Sequence, residues 1–416
     1  MQQNNQSLTQ LHDNGIGGSS AEVELAKLNI MCADIKPISV EEYQCRIKKA
    51  QAIMQANGIA ATYINAGTNL YYFTGTRWYA SERLVGAIIP ASGDVQYVAP
   101  HFEIDTLKQY MTIDGSVNAW HEHESPYQTV INTLASMGVD EGQLAIDEST
   151  AFFIANGIQL AGTQFTLIDA KPITAGCRMQ KSDSEIALLQ RAKDMTLEVH
   201  KAAARILREG ITTSEVEAFI DRAHRALGAP QGSYFCIVLF GADSAYPHGV
   251  AKPKTLEQGD IVLIDTGCQV EGYNSDITRT YVFGEPNERQ RQVWQHEKQA
   301  QLQAFAAAQN GAPCANVDIA ARDYLIQQGY GPEYNLPGLP HRTGHGIGLD
   351  IHEWPYLVKS DHTPLAKGMC FSNEPMLCIP GEFGVRLEDH FYMTEHGPKW
   401  FTEPAYSIDD PFGYNR

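Results

Sequence analysis

Two stretches of this 416-residue chain each place a pair of carboxylates where a β-hairpin would set them opposite one another. In IVLIDTGCQVEGYNSDITRT (261–280) the turn falls near Glu271-Gly272, so Asp265 and Asp276 on the two arms are directly opposed or diagonal. Cross-strand neighbours of either kind lie within about 4.5–8 Å of each other. In FSNEPMLCIPGEFGVRLEDHF (371–391) the turn centres on Gly381, and Glu374 faces Glu388 in the same way. An acid at the end of an apolar run such as Ile261–Ile264 needs something to cancel its charge. A solitary acid would find that partner in solvent or in an arginine such as Arg279 or Arg386. Four acids on two hairpins, with HRTGHGIGLDIHEWP (341–355) and its His341, His345 and His352 between them, point instead to metal. Four carboxylates and one imidazole suit two divalent cations, Mn²⁺ first, with Co²⁺, Fe²⁺ or Zn²⁺ as alternatives. The charges close, because four carboxylates cancel two dications. Water held between such ions is acidified to hydroxide near neutral pH, which gives a nucleophile without a Ser or Cys.

The order Asp265, Asp276, His345, Glu374, Glu388 resembles the five metal ligands of the pita-bread metallopeptidases, which include prolidase, Xaa-Pro aminopeptidase and methionine aminopeptidase. The spacing of the two aspartates, the glycine-rich histidine loop, the NEP around Glu374 and the RLED around Glu388 all look like that family's blocks. The likeness is detailed over residues 182–405, and residues 36–175 look like the smaller N-terminal domain of the proline-specific branch. It implies that Asp265 chelates one metal, that Asp276 and Glu388 bridge both, and that His345 and Glu374 complete the other shell. It further implies that His248 contacts substrate near the scissile bond, that His352 meets the substrate carbonyl and oxyanion, and that His341 lines the pocket on the leaving side. Glu374 would also carry the proton to the departing nitrogen. Arg386, two residues before Glu388, shares its strand face and would either brace the metal shell or meet a substrate carboxylate. The reaction implied is hydrolysis of the bond before proline in Xaa-Pro dipeptides or short peptides, by a homodimer. Rival readings within the same fold are a dimethylsulfoniopropionate lyase and ectoine- or creatine-type hydrolases. A non-catalytic platform is disfavoured because every ligand position is kept.

These residues need particular elements to hold them. Ser182-Asp183-Ser184-Glu185 has capping-box spacing, and Leu188, Ala192, Met195, Val199, Ala202 and Ile206 follow as one apolar stripe of a long helix. Thr212 to Glu215 caps a second helix that ends at Gly228. Strands are expected at 234–240, 261–265 and 276–283, a helix near Arg289–Gln309, and a strand pair about Pro380-Gly381. Upstream, Ser39 to Glu42 starts a helix that runs to Asn57 and stops at Gly58. Strands at 59–64, 84–90, 95–100 and 144–147 and a helix at 129–137 complete an α/β unit. The reading is thus α+β: a pita-bread catalytic domain over 179–416, a smaller creatinase-like α/β domain over 36–178, and over 1–35 a mobile tail or a loosely attached helix. No internal repeat is visible.

Composition excludes other classes. A formal charge of −18 repels phosphate backbones and anionic lipid, so nucleic-acid and membrane partners are not expected. Eight cysteines without a C-x-x-C pair fit free thiols in a reducing cytoplasm, and the first fifteen residues lack the pattern of a signal peptide. Cys268, Cys370 and Cys378 are read as core residues, and His121-Glu122-His123 as a solvated surface segment.

Overall fold

Ser39 accepts a hydrogen bond from the Glu42 N–H, and the helix it starts, Val40–Asn57, ends at Gly58 in the left-handed region (φ 68°) that favours glycine. That helix opens the smaller of two units into which the chain divides. The computed structural model describes residues 14–415. The first unit, Lys36–Arg178, is built on a six-stranded mixed sheet. The strands run in the spatial order Val117–Trp120, Gln96–Pro100, Gly86–Pro90, Ile59–Asn65, Gly142–Ile146 and Phe165–Asp169. Its core packs Tyr63, Ile88, Val98, Leu134, Leu144 and Ile158.

The second unit holds Met179 onward together with the residues before Lys36. The expected mobile tail is corrected here. Residues 1–13 lie outside the described residues, but from residue 14 the segment is docked. Ser20 caps a helix at Ala21–Lys27. Gly17 N–H reaches Ala204 O at 2.8 Å, and Met31 N–H reaches Leu227 O at 2.8 Å. Glu24 is wholly buried and bonded to Ser19, Lys27 and Arg205. Composition sees a polar leader; a buried ion set from a helix 181 positions away holds it.

In the second unit, two helix pairs each precede an antiparallel sheet. Capping boxes at Ser182/Glu185, Thr212/Glu215 and Asn287/Gln290 start the helices Asp183–Arg205, Thr213–Leu227 and Glu288–Ala307. The partner of the last, Ala315–Gln327, has no such signal at its start and is not anticipated by the sequence reading. After the first pair comes a three-stranded sheet with Ile261–Gly267 between Phe235–Phe240 and Ile277–Val282. After the second comes a five-stranded sheet centred on Cys370–Asn373. The two halves therefore repeat one topology, although no repeat shows in their residues. A shared core of Leu263, Trp294, Leu357, Phe371, Leu377 and Phe391 ties them, each such side chain contributing about 1.5–3 kcal/mol on burial. No helix among the described residues is long and apolar enough to cross a membrane.

The register of the two hairpins decides where the acids go. At the tip of the first, Val270 pairs with Tyr273 around Glu271 (φ 51°) and Gly272 (φ 85°), the two positive φ values of a tight hairpin turn. That register puts Asp265 opposite Thr278, so Asp276 is its diagonal neighbour on one face. In the second, Ile379 pairs with Phe383, Met376 with Arg386 and, farther out, Asn373 with Asp389. The register never slips, so Glu374 and Glu388 are direct opposites. The arms splay at that point, where Pro375 has no N–H to give. Glu374 N–H turns to Thr343 O (2.8 Å) and Glu388 N–H to Thr278 O (3.1 Å). The Thr278–Glu388 bridge crosses one hairpin over the other and brings all four acids to one place.

Candidate metal centre

Donor atoms of His345, Glu374 and Glu388 lie within 4.8 Å of one another, as do those of Asp276, His345 and His352. His345 stands on the short strand Gly344–Gly346, its backbone N–H bonded to Ser372 Oγ at 2.9 Å. Its Nδ1 sits 3.0 Å from Gly346 O, so that nitrogen carries the proton and Nε2 presents a lone pair. Nε2 lies 3.0 Å from Glu374 Oε1 and 3.7 Å from Asp276 Oδ2, yet it makes no hydrogen bond. Asp265 Oδ1, Asp276 Oδ1 and Glu388 Oε1 are likewise buried without a partner. A buried polar atom left unpaired costs about 1–3 kcal/mol, more when charged. Such atoms, on acids near enough for their charges to act on one another, are a donor set that a divalent cation would satisfy.

The electrostatics agree. Burial first, and then the neighbouring carboxylates, hold Asp276 and Glu388 well above the ordinary carboxylate range. Burial also raises Asp265, with Arg386 pulling it back. Glu374 goes the other way: burial opposes ionisation, but the close approach of His345 and the charges of His341 and Arg386 carry it below its usual value. Without cations, four acids this close cannot all be charged.

Around this cluster stand the remaining candidate residues. His352 is exposed, its ring tilted against that of His345 with centroids 4.1 Å apart. Burial of part of the ring and then His345 lower its pKa to about 4, so at neutral pH it is an uncharged N–H donor. His341 is half-buried with Nδ1 2.7 Å from Arg342 O. His248 lies in an exposed loop, near enough for its charge to act on both His341 and His352. It also lines a groove with Glu217, Asp243 and Lys254.

Arg386 requires a correction. As a substrate-binding residue it would need a free guanidinium, but the side chain is 3% exposed and committed inside the fold. Nη2 binds Asp265 Oδ2, Nε donates to Thr278 Oγ1 (3.0 Å) and Nη1 to Pro247 O (3.0 Å). Of the two roles open to it, bracing the shell is the one its contacts perform. Thr278 was not singled out in the sequence, yet its hydroxyl donates to Glu388 Oε2 at 2.8 Å and fixes that carboxylate. Nor was Arg342, whose guanidinium stacks on Tyr356 at 4.2 Å and has no ion pair among the described residues. His390 was also missed, although its position two residues after Glu388 puts it on the same strand face. The three cysteines near the ligands are buried and free, as expected of core thiols.

Comparison with known proteins follows the same lines. Residues 187–395 match the model of metallopeptidase family M24, and residues 46–180 match the creatinase/prolidase N-terminal domain. The chain is 34% identical over 359 residues to an Xaa-Pro dipeptidase of Pyrococcus furiosus, covering 86% of this chain and 97% of that protein. The crystal structure of dipeptidase PepE from Mycobacterium ulcerans superimposes with a TM-score of 0.81 at 33% identity, covering 88% of this chain and 97% of the other. An X-Pro aminopeptidase from Thermotoga maritima gives 0.74 at 26% identity, over 86% and 97%. With four acids from two crossed hairpins gathered about His345, and with both family models matched along its length, the chain belongs to metallopeptidase family M24 and is a metallopeptidase.

Proposed function

We propose that this chain is an Xaa-Pro dipeptidase working with two divalent cations, Mn²⁺ first among them, as a homodimer in the cytoplasm. The observation that carries the reading is the convergence of partnerless donor atoms from Asp265, Asp276, His345 and Glu388, in a chain that matches a named Xaa-Pro dipeptidase over nearly its whole length. Asp265, Asp276, His345, Glu374 and Glu388 would hold the pair. When bound, the cations supply a nucleophile from water at neutral pH and a Lewis acid for the scissile carbonyl.

The chain's own residues do the rest. Neutral His352 offers an N–H to the carbonyl oxygen as charge develops on it, an interaction realised mainly in the transition state. Glu374 is the most exposed of the ligands that flank His345, with 15% of its side chain accessible, and it carries the proton toward the prolyl nitrogen. Proline's amide has no N–H, so recognition must come from enclosing the ring rather than from a backbone donor. His341 and His248 would wall it. Arg342, unpaired and acting on His352, is the cation available for the free carboxylate of a dipeptide. That availability favours a dipeptidase over an aminopeptidase.

The test is kcat/KM for Ala-Pro, Ala-Pro-Ala and Ala-Ala with Mn²⁺-loaded protein. Ala-Pro should lead. Equal cleavage of Ala-Ala would refute prolyl specificity, a lead for Ala-Pro-Ala would make the enzyme an aminopeptidase, and no turnover would favour the lyase or the ectoine- or creatine-type hydrolases. Light scattering that shows only a 46.0 kDa species would remove the dimer.

A further inference from the structure

The strand Asp389–Thr394 carries His390, an imidazole with no solvent exposure and no hydrogen-bond partner on either ring nitrogen. Two unmet nitrogens in one buried ring are an expensive arrangement, since each forfeits a bond it would make in water. The ring's Nε2 lies 3.6 Å from Glu388 Oε1, and donor atoms of Asp276, Glu388 and His390 all fall within 4.8 Å of one another. Asp276 Oδ1 and Glu388 Oε1 are themselves among the buried atoms without partners. Three residues thus turn unsatisfied donor groups toward one another, and no side chain or backbone group closes the gap among them.

Two donors sharing one cation at bond lengths of about 2.1 Å stand roughly 3–4 Å apart, the range in which Nε2 and Oε1 are found. A direct hydrogen bond would need them closer, near 2.9 Å. The backbone holds the ring where it is: His390 pairs with Ser372, whose hydroxyl receives the His345 N–H, and His390 O accepts from Phe401 N–H at 2.9 Å. Buried Lys193, bonded through Nζ to Asn274 O at 3.1 Å, lies near enough to oppose a positive charge on the His390 ring, which, buried as it is, stays a neutral imidazole.

We propose that His390 is a sixth protein ligand of the metal centre, giving the cation that His345 and Glu374 would hold, together with Asp276 and Glu388, a second imidazole nitrogen. The consequence is chemical selectivity. An imidazole added to a carboxylate shell strengthens the hold on the borderline cations Co²⁺ and Zn²⁺ more than that on Mn²⁺. The inference rests on the reading of this cluster as a metal centre.

The experiment uses the full chain, stripped by chelation and titrated with Co²⁺ and with Mn²⁺ by calorimetry, for the wild type and for His390→Phe and His390→Gln. Wild type should bind two ions. Both variants should lose at least about tenfold in Co²⁺ affinity at one site while Mn²⁺ affinity falls less. X-ray absorption of the Co²⁺-loaded wild type, which needs no variant to fold, should count two imidazoles per metal pair. One imidazole, or variants with unchanged Co²⁺ affinity, would overturn the sixth ligand and leave the five-ligand centre standing. A wild type that binds no divalent ion would overturn both.

Discussion

Replacing Arg386 with Met separates bracing from substrate binding, because the two roles predict losses in different measurements. The guanidinium is buried and holds Asp265, Thr278 and Pro247 O together. Without it, in chelated protein, Asp265 is a buried carboxylate with no counter-charge, and it will take a proton rather than stay ionised. Its ordinary value is 3.8. With one unit worth about 1.36 kcal/mol, protonating it at pH 7 costs about 4 kcal/mol, and at pH 5 less than half as much. The sign follows from the direction of the shift. The folded-state value is raised above the unfolded one, so the stability that protonation preserves is present at low pH and lost as pH rises toward neutrality. In metal-loaded protein a cation takes over the counter-charge, and only the hydrogen bonds to Thr278 and Pro247 O are forfeited, about 1–3 kcal/mol. For a unit of this size, where 1 kcal/mol moves Tm by about 2–4 °C, the chelated variant at pH 7 loses both contributions, about 5–7 kcal/mol, and should melt roughly 10–28 °C below chelated wild type. The loaded variant should melt about 2–12 °C below loaded wild type, a smaller loss than the chelated one, and the chelated gap should narrow at pH 5. Differential scanning fluorimetry at both pH values, with and without chelator, reads all four numbers. An equal loss in both metal states, or a chelated gap that widens in acid, would refute the reasoning. An unchanged Tm with a raised KM for Ala-Pro would return Arg386 to the substrate.

Other outcomes follow from the same geometry. Asp276→Ala should lose activity together with at least one metal equivalent, measured by elemental analysis; full activity without bound metal would end the metallopeptidase mechanism proposed here. His352→Ala should keep both metals and lower kcat about a hundredfold, the worth of one donor to developing charge, and a wild-type kcat would make it a bystander. Arg342→Ala should raise KM for Ala-Pro about tenfold while sparing Ala-Pro-amide, as the loss of one exposed charge contact of about 1.4 kcal/mol would; equal effects on both peptides would deny it the carboxylate.

Much of the centre was legible because hairpin pairing depends only on where the turn falls. Pro380-Gly381 alone determined that Glu374 meets Glu388, and Glu271-Gly272 put Asp265 and Asp276 on one face, though which of opposite or diagonal they are waited on the observed pairing with Thr278. Helix starts at Ser39, Ser182 and Thr212 were equally readable, since an N-cap bond, completed to a reciprocal box at Ser182 and Thr212, is satisfied within four residues. What only the tertiary structure decided involves partners far apart in the chain. Thr278 meets Glu388 across 110 positions, Arg386 meets Asp265 across 121, and Glu24 meets Arg205 across 181. The helix Ala315–Gln327 and the docked segment from residue 14 belong to the same class. Local pattern records what a residue does to its own backbone and its hairpin mate. Which buried charge it must neutralise depends on how whole sheets and helices pack, because only packing removes the water that would otherwise have satisfied it.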